Sequence, residues 1–97
     1  MLETLQLQKL AREIVGKRMP KVQLDDVVAV PFTDEEGESA LRITLVISPE
    51  TVDAITGKDA LKLLVDIKDA LFRKGEERFA FLEYTTADDV PTDDDDD

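Results

Sequence analysis

Ala40-Leu41-Arg42-Ile43-Thr44-Leu45-Val46-Ile47-Ser48 alternates without a break. Leu41, Ile43, Leu45 and Ile47 point one way, and Arg42, Thr44 and Val46 point the other, the period of two expected of a half-buried strand. Just upstream, Val22 to Phe32 holds the β-branched run Val27-Val28-Ala29-Val30-Pro31-Phe32. The connection between them, Thr33 to Ser39, is polar and offers Gly37 for a positive φ, so the two runs read as a β-hairpin. Pro31 has no N–H to give to a ladder and is expected near a strand end or on an unpaired side.

Helical periods flank the hairpin. Leu7, Leu10, Ala11, Ile14 and Val15 form one stripe within residues 2–18, which Gly16 weakens and Pro20 ends. After Ser48-Pro49, residues 49–57 read as a loop with a short helical turn, and Thr56-x-x-Asp59 as a capping box. A second helix is expected over 58–74, stopped by Gly75. Its apolar side, from Ala60 and Leu61 through Leu63, Leu64, Val65 and Ile67 to Leu71 and Phe72, spans roughly 220° when residues are placed at the helical period. One sheet contact does not require so wide a face. Packing against the first helix would account for it, and so would a partner surface. Phe79 to Thr86 reads as a third strand.

The fold expected is therefore α+β, in the order α-β-β-α-β. Residues 1–87 form a single domain with two helices packed on one face of a three-stranded sheet. A right-handed crossover places the third strand beside one hairpin strand, without saying which. The other sheet face is left uncovered, with Val46 and either the Phe81 or the Leu82 set upon it.

Charge is unevenly placed. The chain has 97 residues, 23 acids, 12 bases and a net charge of −11. Asp88, Asp89 and Asp93 to Asp97 hold seven of those acids, so the part through Ala87 is only mildly negative at −4. Residues 88–97 read as a disordered acidic tail, because so charged a segment cannot recover its ordering entropy. A negative field repels nucleic acid and membrane surfaces and attracts basic partners.

What is missing is equally informative. With no Cys and no His, the chain has no thiolate nucleophile, no disulfide, no imidazole base and no Cys- or His-ligated metal site. Carboxylate or lysine chemistry is still open but has no motif here, so the expectation is a non-enzymatic protein without a cofactor. No apolar run approaches the roughly 20 residues of a membrane span. Nor does MLETLQLQKLARE read as a signal peptide, which makes cytoplasmic residence the expectation.

The candidate contacts follow from charge and exposure. Asp34, Glu35, Glu36 and Glu38 crowd the hairpin tip but lack the spaced ligands of a calcium loop. Asp93, Asp94 and Asp95 belong to the tail, and Val46 and Phe81 to the open sheet face. Two basic clusters, Lys17-Arg18 with Lys21 and Arg73-Lys74 with Arg78, sit at helix C-termini, where dipole compensation explains them. If the helices ran parallel, these ends would converge into a patch for RNA, although Gly16-Lys17-Arg18-Met19 is not the GxxG of a KH domain.

The run from Asp34 to Val46, followed by Gly75-Glu76-Glu77-Arg78-Phe79, resembles small bacterial α/β proteins that neighbour HEPN-domain proteins, a group that includes ribonuclease toxins. The resemblance spans residues 1–87 and carries no site motif. It implies an antitoxin-like module that binds and neutralises a basic protein of the kind such a toxin would be. A KH-like or ribosome-associated RNA-binding domain and a homodimeric structural protein are the alternatives.

Overall fold

The computed structural model describes residues 2–87, with helix α1 (Thr4–Arg18), strands β1 (Leu24–Thr33) and β2 (Ser39–Ile47), a 3₁₀ turn (Pro49–Ala54), helix α2 (Gly57–Arg73) and strand β3 (Phe79–Thr85). The acidic tail and its Asp93, Asp94 and Asp95 lie outside the described residues. The α+β class and the α-β-β-α-β order are as the sequence predicts.

β2 is the middle strand. It pairs antiparallel with β1 and parallel with β3, giving the order β1-β2-β3. This decides the point the sequence left open. Leu41, Ile43, Leu45 and Ile47, each at most 2% exposed, turn to the helices and form the floor of the core. Leu7, Ala11 and Val15 of α1 and Leu63, Ile67 and Leu71 of α2 press onto them. Each large aliphatic buried this way contributes roughly 2 kcal/mol of transfer free energy, and together they hold both helices on one face.

Local signals behave as their chemistry demands. Thr56 accepts the Asp59 N–H at the start of α2, 3.1 Å away. Beyond the other end, Gly75 takes φ +86°. At the hairpin tip Gly37 has φ +83°, a conformation that disfavours any residue with a Cβ.

The helices run antiparallel. Arg18, at the end of α1, forms a two-pronged ion pair with Asp66. Lys74, past the end of α2, lies instead beside Leu2, Gln6 and Lys9 near the start of α1. The convergence of basic ends that parallel helices would give is therefore not found. Asp66 also marks which flank of α2 meets α1. Leu61, Val65 and Phe72 project from the opposite flank and are 62%, 57% and 77% exposed. Packing against α1 thus does not account for the breadth of the apolar face.

The two borders of the sheet differ. The tip bond from the Asp34 N–H to the Glu38 carbonyl fixes the alternation of the β1–β2 ladder, which directs the backbone groups of Val27, Ala29, Pro31 and Thr33 away from β2. Along that border the Val27 N–H donates to the Asp26 carboxylate, and the Val27 carbonyl accepts from Gln8 Nε2 of α1. Pro31 has nothing to donate. A register shift between Leu24 and Asp26 bends the strand further. These are the devices by which strand edges are made unreceptive. On β3, among the described residues, no side chain or loop bonds the outward backbone groups of Phe79 to Thr85.

Candidate functional site

The register of the sheet builds an aromatic cluster on the face away from the helices. Phe32 of β1 and Phe79 of β3 stand on either side of Ala40, whose methyl group leaves room for both rings and is itself fully covered. Phe81, opposite Arg42, completes the group. Its ring centroid is 5.6 Å from that of Phe32 and 4.7 Å from that of Phe79, the latter edge-to-face. Such pairs are favoured by ring quadrupoles. Phe79 and Phe81 stay 47% and 40% exposed.

The rings form one wall of an open groove of about 630 Å³ that runs to the hairpin tip and is bordered by Asp34, Glu35, Glu36, Arg42 and Glu83. Four of these five groups are carboxylates. Cations already sit on the aromatic faces: the Arg42 guanidinium carbon lies 4.8 Å from the Phe32 centroid, and Lys68 Nζ lies 3.9 Å from that of Phe79. Arg42 also pairs with Glu83 at 3.4 Å, and Glu83 accepts from the Thr44 hydroxyl. The groove thus combines ring faces with negative charge, the chemistry that attracts a positive side chain.

The predicted contacts fare differently. Phe81 is in the groove, and Glu35, Glu36 and Glu38 are exposed at the tip. Asp34 has a structural task. Its Oδ1 accepts the N–H groups of Glu36 and Glu38, both at 2.9 Å, while its carbonyl accepts from Gly37. Among the described residues no group of three acids gathers in a way that could hold a metal ion. Val46 requires a correction. It lies on the open face by alternation, but Asp26 and Thr85 flank it in the register and leave it 4% exposed. It therefore offers a partner almost no area.

The sequence assigned no role to Glu76 and placed Arg78 in a basic cluster, and there the structure places a buried ion pair. Glu76 is 3% exposed. It accepts from Arg78 Nε at 2.8 Å and Arg78 Nη2 at 2.9 Å, and from the backbone N–H groups of Leu2 and Arg78. Arg78 Nη2 also donates to the Leu2 carbonyl at 2.8 Å. Hydrogen bonds from Arg78 outweigh the burial and lower the Glu76 carboxyl to about 2. The same contacts favour the charged form of Arg78. The pair ties the start of the chain to the start of β3. Among the remaining groups, burial pushes the Tyr84 phenol up, and its hydroxyl has no hydrogen-bond partner among the described residues.

Phe32, Phe79 and Arg42 were also missed as a site. Only the alternation within each strand was visible, and the cluster depends on which strands are neighbours. Half of the basic residues expected to form a patch are engaged elsewhere: Arg18 with Asp66, Arg73 with Asp69 and Arg78 with Glu76.

Among the described residues no helix is long and apolar enough to cross a membrane. No family model, curated protein or solved structure matches the chain.

Proposed function

We propose that this chain is a non-enzymatic interaction module that binds a basic protein through the aromatic groove and the acidic hairpin tip. The observation that carries the proposal is the Phe32–Phe79–Phe81 cluster bordered by Asp34, Glu35, Glu36 and Glu83, with its ring faces already attracting Arg42 and Lys68. An incoming Lys or Arg displaces one of these internal cations and meets the carboxylates that follow. The exchange costs little, since the internal pairs are exposed and weak. The net charge of −11 speeds the encounter and makes it salt-dependent.

The likeness to proteins that neighbour HEPN-domain proteins supports a narrower version, in which the partner is a nuclease with a basic substrate groove and binding neutralises it. An acidic inhibitor competes for such a groove with the substrate's own charge.

The test is a titration of the isotope-labelled chain with an Arg- and Lys-rich peptide, followed by amide shifts. The expected result is a response centred on Phe79, Phe81 and residues 34–38, weakening as salt rises. Replacing Phe81 by Ala lowers affinity roughly three- to thirtyfold, the worth of one aromatic–cation contact. Shifts scattered over the surface, or an unaltered affinity for Phe81→Ala, would refute the groove. Co-purification with the product of the adjacent gene tests the narrower reading separately.

A further inference from the structure

We propose that a second copy of this chain docks on the flank formed by β3 and α2, pairing β3 antiparallel with its own symmetry mate to give a six-stranded sheet. This goes beyond the groove, which lies on the open face and stays free in such a dimer.

Three observations meet on this flank. The β3 border is receptive where the β1 border is blocked by Asp26, Gln8 and Pro31. Leu61, Val65 and Phe72 form a stripe at i, i+4 and i+11 on the side of α2 turned away from α1. Of the stripe, Phe72 stands beside that border. Gly57 and Ala60 adjoin Tyr84 and Thr85 at one end of β3, while Lys68 and Phe72 adjoin Phe79 and Ala80 at the other. Helix α2 therefore runs antiparallel to β3.

A single two-fold axis along the sheet normal satisfies both features at once. It passes near Leu82, the middle of β3, and beside Val65, the middle of α2. Strand then meets strand and stripe meets stripe, the self-complementary arrangement that a two-fold interface demands. The strand edge on this flank is roughly 23 Å long, from seven residues at strand rise. Phe72 alone presents about three-quarters of its surface there.

Charge selects the occupant. β3 carries one acid, Glu83, which points to the open face, and the stripe carries one base, Lys68, which is held on its own Phe79. Charge on this flank is balanced, with Lys68 and Arg78 beside Glu76 and Glu77 at the start of β3, so on a chain of net charge −11 it suits another copy better than a basic partner, which the acids elsewhere would attract. It also gives the dimer a salt response opposite to that of the groove: screening relieves the repulsion between two negative chains, so association strengthens.

Sedimentation equilibrium of the full chain is the test, with Val65→Asp and Phe72→Asp alongside. Both residues are exposed, so both variants fold, as far-UV circular dichroism would verify. The wild type is expected at twice its 10.9 kDa mass, more completely as salt rises. Each variant is expected to weaken association roughly tenfold or more and to lose the slow hydrogen exchange of alternate β3 amides. A wild type that stays monomeric at every concentration and salt overturns the proposal and leaves the flank to a different protein. A dimer that either variant leaves intact overturns it too, by placing the contact on another face.

Discussion

Glu76 joins the start of the chain to the start of β3, and changing it to Gln removes its charge while keeping its shape. Its carboxyl sits at about 2 instead of the ordinary 4.5, chiefly through the hydrogen bonds from Arg78. At 1.36 kcal/mol per pH unit, the difference corresponds to about 3 kcal/mol of stability. The folded-state value is the lower one, so this stability is present in full above pH 4.5 and is lost as pH falls from 4.5 towards 2. Urea unfolding followed by circular dichroism at neutral pH should therefore place Glu76→Gln about 3 kcal/mol below the wild type. In a domain this small, that is a fall in Tm of roughly 10–20 °C. Repeating the series down to pH 3 should narrow the gap to about 1.5 kcal/mol, because by then the unfolded chain holds its proton while the folded Glu76 is still mostly ionised, and the curves should meet only below about pH 2. The other 22 acids titrate in both proteins and cancel in the difference. A variant within about 0.5 kcal/mol of the wild type at pH 7, or a gap that stays constant down to pH 3, would refute this account of the pair.

Leu63→Ala empties a fully buried position where α2 meets the sheet and should cost about 2–5 kcal/mol in the same unfolding experiment. Gly37→Ala meets no steric obstacle but must hold φ +83°, so a loss of about 1 kcal/mol with the fold unchanged is expected; a neutral result would argue against the tip conformation. Asp34→Ala frees two amide N–H groups at the tip and should cost about 1 kcal/mol and speed their hydrogen exchange. Pro31→Thr restores a donor on the blocked border and should produce species larger than a dimer in light scattering, where the wild type produces none.

Much of this fold could be read from periodicity. The alternation of Leu41 to Ile47 sorts the two faces of β2 correctly, and the spacing of Leu7, Ala11 and Val15 identifies the side of α1 that reaches the core. These signals are local, and burial on one side is enough to produce them. The partner of β3 was not legible, because a crossover of suitable length reaches either hairpin strand. The aromatic cluster was hidden for the same reason: Phe32 and Phe79 are far apart in sequence and meet only because β2 lies between them with Ala40 in register. Phe81 and Leu82 were left as alternatives for the open face, and the register selects Phe81, whereas Val46 shows that alternation gives direction but not exposure. Glu76 was passed over because nothing local distinguishes a carboxylate after a glycine from a solvated one. Its significance depends on Leu2, which is 74 residues away.

The inequality of the two sheet borders has a consequence for how far the protein can grow. A ribbon with two welcoming margins adds units without end, in the manner of a fibre. Here proline, a borrowed glutamine and an aspartate that takes up its neighbour's N–H close one margin. Extension along the other is a step that can be taken once, after which only closed margins face the solvent.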